Sequence, residues 1–170
     1  MTTDSTADAT SAAHAGVLNI GPEFLAAGRA TFTVSNPAGE QYTYRIERSD
    51  DDDATFGAAP SRPRRWFVSL LTGSDNEHDY TYVGLYDPAG GVIRLTAKSK
   101  YPPTSRPVRV LRWACSVVHS GMPLPADYSI RHDERCGRCR RTLTDAVSLD
   151  CGIGPECRRK MGKELRGQHG

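Results

Sequence analysis

Four of the five cysteines in this chain fall between positions 136 and 157, and Cys115 stands alone upstream. A disulfide framework spreads its thiols through a secreted domain, whereas this crowding suits one metal ion in a reducing compartment. Cys136-Gly137-Arg138-Cys139 has the two-residue spacing that lets both sulfurs point at one ion, with Gly137 permitting the tight backbone turn. Gly154-Pro155 reads as a helix start with proline at the first helical position. That puts Cys157 in the first turn, where the helix dipole favours a thiolate. Knuckle, short hairpin and helix-borne ligand together predict a treble-clef-like finger around one structural zinc ion. Tetrahedral zinc takes about four ligands, and three are plain here. The fourth is either Cys151, giving an all-cysteine site, or His132, giving His-x3-Cys-x2-Cys followed by Cys157; spacing alone leans slightly to Cys151.

Upstream, the pattern is that of strands. Residues 1–22 are rich in Ala, Thr, Ser and Asp and nearly devoid of large apolar side chains, so they are expected to form a disordered leader. Ala30, Phe32 and Val34 alternate, Asn36 to Glu40 has turn chemistry, and Tyr42, Tyr44 and Ile46 alternate again, predicting a hairpin. A long acidic loop spans 49–63, with Asp50 to Asp53 read as solvated because they lack the spacing of a calcium loop. A strand follows at Arg64 to Gly73, then a second hairpin of Tyr80 to Tyr86 and Val92 to Ala97. Ser105 is placed to cap a helix in which Val108, Leu111, Cys115 and Val118 recur at helical spacing, ending near Gly121. Cys115 falls on the apolar stripe and is read as a small core residue. The expected fold class is α+β. An antiparallel body of about five strands under one helix (23–121) is followed by a linker (122–130) and a finger with a basic helix (131–170). No apolar run approaches the roughly 20 residues of a membrane-spanning helix, and residues 1–16 have neither a basic start nor an apolar core. A cytoplasmic location is expected.

From His132 to Cys157 the chain resembles a domain family of unknown function common in actinobacterial phages and mobile elements. Its pattern is approximately His-x3-Cys-Gly-Arg-Cys-Gly-Arg-x-Leu-Thr, then Ser, then Gly-Ile-Gly-Pro-x-Cys. The resemblance implies His132, Cys136, Cys139 and Cys157 as the ligands, because the position of Cys151 is not usually cysteine in that pattern. This chain departs from it at Arg140, where the pattern has Gly, and at Ala146, where it often has Pro. Trp66 to Asn76 and Tyr80 to Tyr86 also look like the body that often precedes the domain. The resemblance implies no activity.

Charge narrows the class of partner. Residues 131–170 hold ten Lys/Arg against six Asp/Glu, a balance of +4, so residues 1–130 carry −2 of the net +2. Attraction to phosphate should therefore centre on the finger, where Arg135, Arg138, Arg140 and Arg141 surround the knuckle and Arg159, Lys163 and Arg166 follow one helix face. In the body, Tyr42, Tyr44, Trp66, Phe67, Tyr80, Tyr82, Tyr86 and Trp113 invite a stacking-platform reading. Tyr80, Tyr82 and Tyr86 share one parity, beside Arg62, Arg64, Arg65, Lys98 and Lys100. Asp133, Glu134 and Glu156 are the carboxylates nearest the cysteines, but nothing in their spacing sets a general base against a metal-bound water, and His78 and His119 have no recognisable catalytic partners. The expected function is non-enzymatic binding, of nucleic acid first and of a host protein as the alternative.

Overall fold

The computed structural model describes residues 16–49 and 64–167, with side chains through Lys163. In chain order the elements are β1 (Val17–Leu18), α1 (Pro22–Ala26), β2 (Arg29–Ser35), β3 (Gln41–Arg48), β4 (Trp66–Leu71), β5 (Tyr80–Asp87) and β6 (Val92–Arg94). They continue with α2 (Arg106–Ser120), β7 (Ser129–His132), α3 (Ala146–Cys151) and α4 (Pro155–Gly167). The strands form one sheet of seven in the order β1-β7-β2-β3-β4-β5-β6, curled into a half-barrel. All pairings are antiparallel except the short parallel contact of β1 with β7.

The class is the expected α+β, but the strand count is seven where the alternation predicts about five. Both added strands fall in stretches read as leader and linker. Val17 and Leu18 pair with Ser129 and Ile130, and Ile20 and Ile130 are buried. Two-residue and four-residue strands are too short to display a period of two, so no alternation announces them. The linker reading of 122–130 therefore fails at its last two residues: Ser129 and Ile130 lie in a strand between β1 and β2, and the body runs into the finger through the sheet itself. Likewise the leader reading of 1–22 fails from Val17 onward. Residues 1–15 and most of the acidic loop, 50–63, lie outside the described residues.

The two predicted hairpins form. Asn36 and Glu40 close the β2–β3 turn, the Glu40 N–H donating to Asn36 Oδ1 at 3.0 Å, with Gly39 at φ +84°. Gly91, at φ +69°, closes the β5–β6 turn. Helix α2 has Pro107 in its first turn and ends at left-handed Gly121, as expected. The Ser105 hydroxyl, however, turns back to the Pro102 carbonyl instead of capping the helix. Val108, Leu111, Ala114, Cys115 and Val118 bury one stripe of α2 against Phe32, Tyr44, Ile46, Val68 and Val83 on one face of the sheet. Full burial pushes the Cys115 thiol up to about 12, as befits a core residue. Tyr44 and Tyr86 point their hydroxyls at the helix, donating to the Pro107 carbonyl at 2.8 Å and meeting His119 Nε2 at 2.7 Å.

A β-bulge interrupts the β4–β5 pairing at Val68/Ser69 and corrects the parity read for the tyrosines. Tyr80 and Tyr82 pair with Leu71 and Ser69, on the face away from α2. Beyond the bulge Tyr86 pairs with Trp66 and turns into the core. A bulge inserts one residue on one strand only and flips every later side chain, which a period of two cannot anticipate.

Candidate metal centre

Strand β7 leads directly into the knuckle. Arg135 and Thr142 bridge across it, the Cys136 N–H donates to the Arg141 carbonyl at 2.9 Å, and the Arg140 N–H returns to the Cys136 carbonyl at 3.0 Å. The tight turn puts Arg140 at φ +66°, a left-handed conformation that glycine adopts without strain, and this is the position where the resembled pattern has glycine. Here the arginine gains a partner instead: both its terminal nitrogens donate to the Asp133 carboxylate. Ala146, the second departure, opens α3 behind Asp145, whose carboxylate accepts from the Ser148 N–H at 3.0 Å. The capping that proline would assist is thus supplied by the side chain before it. Gly152, at φ +77°, ends α3, and Pro155 opens α4 with Cys157 in its first turn.

This path gathers Cys136, Cys139 and Cys157, whose sulfurs all lie within 4.8 Å of one another. Cys136 and Cys157 are buried and Cys139 is exposed. Backbone N–H groups aim at the buried sulfur, Gly154 donating to Cys136 Sγ at 3.4 Å and Arg138 at 3.5 Å. Burial works against ionising Cys136, but the donors from Gly154, Cys139 and Arg138 together outweigh it and hold its thiol below the ordinary value. Cys157 goes the other way: burial first, then sharing with Cys139 and Cys136, pushes it up to about 12. Three crowded sulfurs cannot all be thiolates without a compensating positive charge, which a bound cation would supply. The donor set therefore fits a thiophilic metal ion.

Neither candidate for a fourth ligand reaches the sulfurs. His132, expected from the resemblance, is buried with both ring nitrogens turned to backbone: Nδ1 accepts from the Glu134 N–H at 2.9 Å and Nε2 meets the Leu149 carbonyl at 2.6 Å. It ties β7 to α3 and packs its ring 5.8 Å from that of Phe24. Cys151, the rival, sits at the C-terminal end of α3, where its sulfur accepts from the Arg158 guanidinium at 3.5 Å. Among the described residues the structure thus assembles a cysteine triad. Beside it opens a cleft of about 310 Å³ walled by Thr142, Thr144, Asp145, Glu156 and Lys160.

Sequence spacing missed Phe24. This fully buried ring of α1 lies under the knuckle and under the end of α3: a Cβ added to Gly137 would stand 2.7 Å from it, and one added to Gly152 2.5 Å. Both glycines are therefore needed for close approach, and the Gly137 N–H donates to the Gly152 carbonyl at 2.9 Å across the same contact. The apolar Phe24-Leu25 pair, lying just after Gly21-Pro22, was the available signal for a buried turn of helix there.

The basic residues named for phosphate contact divide into groups. Arg135 and Arg140 face a trough on the open side of the sheet, while Arg141 lies on the metal cleft and pairs with Glu156 at 3.8 Å. Arg138 lies within the knuckle. Arg159 and Lys163 line one side of α4 together with Lys160, which the spacing argument passed over. Arg166 lies on α4 beyond the described side chains. Of the basic residues named beside the tyrosines, Arg62 is outside the described residues. Arg64 and Arg65 lie immediately before β4, and Lys98 and Lys100 in the turn after β6.

Fold and site together define a half-barrel sheet with a cysteine-triad finger packed on its edge. The model of a family of unknown function, DUF6011, matches residues 129–162, the stretch from β7 through the knuckle into α4. Neither a curated protein nor a solved structure matches the chain.

Proposed function

We propose that this is a non-enzymatic nucleic-acid-binding protein whose finger is held by one structural zinc ion and captures phosphates through α4. The observation that carries this reading is the side of α4 on which Arg159, Lys160 and Lys163 lie together, with Glu156 the single acid among the described side chains of the helix and already paired to Arg141. Three adjacent cations on a rigid helix suit a run of phosphates. Zinc is favoured over other ions by the all-sulfur donor set and finger-like spacing. A phage or mobile-element origin, with action in the host cytoplasm, is the reading the sequence resemblance favours.

The test is binding of metal-loaded protein to labelled DNA and RNA at two salt concentrations. Neutralising about three phosphates should give a log–log salt slope of roughly −2 to −3, and Arg159→Glu with Lys163→Glu should weaken binding and flatten that slope. Affinity indifferent to salt would refute the reading.

A second reading, recognition of a host protein, is favoured by an apolar cleft of about 500 Å³ between β1 and α4, lined by Leu18, Ile20, Ile153 and Met161. It predicts one specific partner that survives nuclease and high salt and is lost with Met161→Glu.

A further inference from the structure

Strands β2 to β5 and the knuckle enclose a trough of about 850 Å³ on the face of the sheet opposite α2. Its floor is made of hydroxyls and one guanidinium. Thr31, Thr33 and Thr43 lie on neighbouring strands, Thr33 and Thr43 sharing a hydrogen bond at 2.8 Å, and Arg45 stacks 3.7 Å from the centroid of Tyr80. Asp133 and Arg140 from the finger and Tyr80 of β5 line the walls of the same trough.

The carboxylates of the trough are unequal. Asp133 is tied to Arg140, and Glu47 lies 3.6 Å from Arg45, leaving Glu77 without a cation of its own among the described side chains. Against it stand Arg29 and Arg135, both exposed and with no ion pair among the described residues. They lie together at the knuckle, where the Arg29 N–H donates to the Gly137 carbonyl at 2.7 Å. The Arg45 guanidinium is held in place by its neighbours, its Nε 3.6 Å from the Glu47 carboxylate and a terminal nitrogen donating to the Glu77 carbonyl at 3.0 Å, so the Tyr80–Arg45 stack is a fixed part of the floor. On the same face, beyond Tyr80, Phe67 and Tyr82 lie with ring centroids 6.3 Å apart, Phe67 being 37% exposed.

We propose that this trough seats a short single strand of nucleic acid, its phosphates at Arg29 and Arg135 and its bases towards the Tyr80–Arg45 stack. The proposal rests on the nucleic-acid reading above and adds to it the strandedness and the seat. A single strand offers free base faces to the Tyr80–Arg45 stack and a flexible backbone to the arginines, whereas the bases of a duplex are already stacked and paired. The strand's ribose or deoxyribose would lie over Thr31, Thr33 and Thr43, hydroxyls able to read a 2′-OH, so DNA and RNA are separate arms of the test.

Fluorescence anisotropy of labelled ten-nucleotide oligo-dT and oligo-U, with a duplex of equal length, decides it on the full metal-loaded chain. Arg29→Gln with Arg135→Gln should weaken single-strand binding by about tenfold or more and leave the duplex less affected. Thr43→Trp, which fills the floor without changing charge, should do the same, and far-UV circular dichroism reports whether each variant folds. Single-strand affinity unchanged within about twofold in both variants while the α4 double variant loses it would overturn the trough and keep the finger reading. No binding of any nucleic acid by the wild-type chain at low salt would overturn both.

Discussion

Phe24 buries its whole side chain beneath two glycines of the finger while belonging to a helix of the sheet-bearing part. Removing the ring leaves a cavity that the knuckle cannot collapse into, because Gly137 and Gly152 carry no side chain to fill it. Phe24→Ala should lower stability by roughly 3–5 kcal/mol, read from urea denaturation, and should also weaken metal binding, though no ligand is altered. A loss of stability with metal affinity intact would mean the finger holds its shape without this contact. Arg140 shows the opposite economy of a residue: a left-handed backbone that glycine would relax is retained with a carboxylate partner in Asp133.

Among the elements, β7 has the widest reach for its length. Four residues link β1 on one side to β2 on the other, bury Ile130 completely, and bring His132 to bond α3 through the Leu149 carbonyl. A chain cut to the alternating strands and α2, residues 23–121, loses both β1 and β7 and exposes the β2 edge, with Phe32 and Val34 losing their cross-strand partners His132 and Ile130. Such a fragment is expected to be unfolded or aggregated, checked by near-UV circular dichroism and size exclusion. A fragment folding as a stable monomer would show that the sheet stands without its last strand.

At the level of the whole molecule these contacts should make the sheet and the finger unfold as one cooperative unit. Calorimetry should show a single transition, shifted to lower temperature by a chelator, because a ligand bound only to the folded state at a hundred times its dissociation constant adds about 2.7 kcal/mol. Two separate transitions, with only the second insensitive to chelator, would restore the picture of a finger on a linker. What could be read from the chain alone was local: the Cys136/Cys139 knuckle, Cys157 in a helical first turn, both hairpins and the α2 stripe. Each is specified by neighbours a few residues apart, through turn chemistry, capping and periodicity. The insertion of β7 beside β2, the bulge that turns Tyr86 inward and Tyr80 outward, the diversion of His132 and Cys151 from the sulfurs, and the trough arise from strand order and packing between distant segments. Their energies come from burial and pairing across long loops, which leave no periodic trace in the residues that take part.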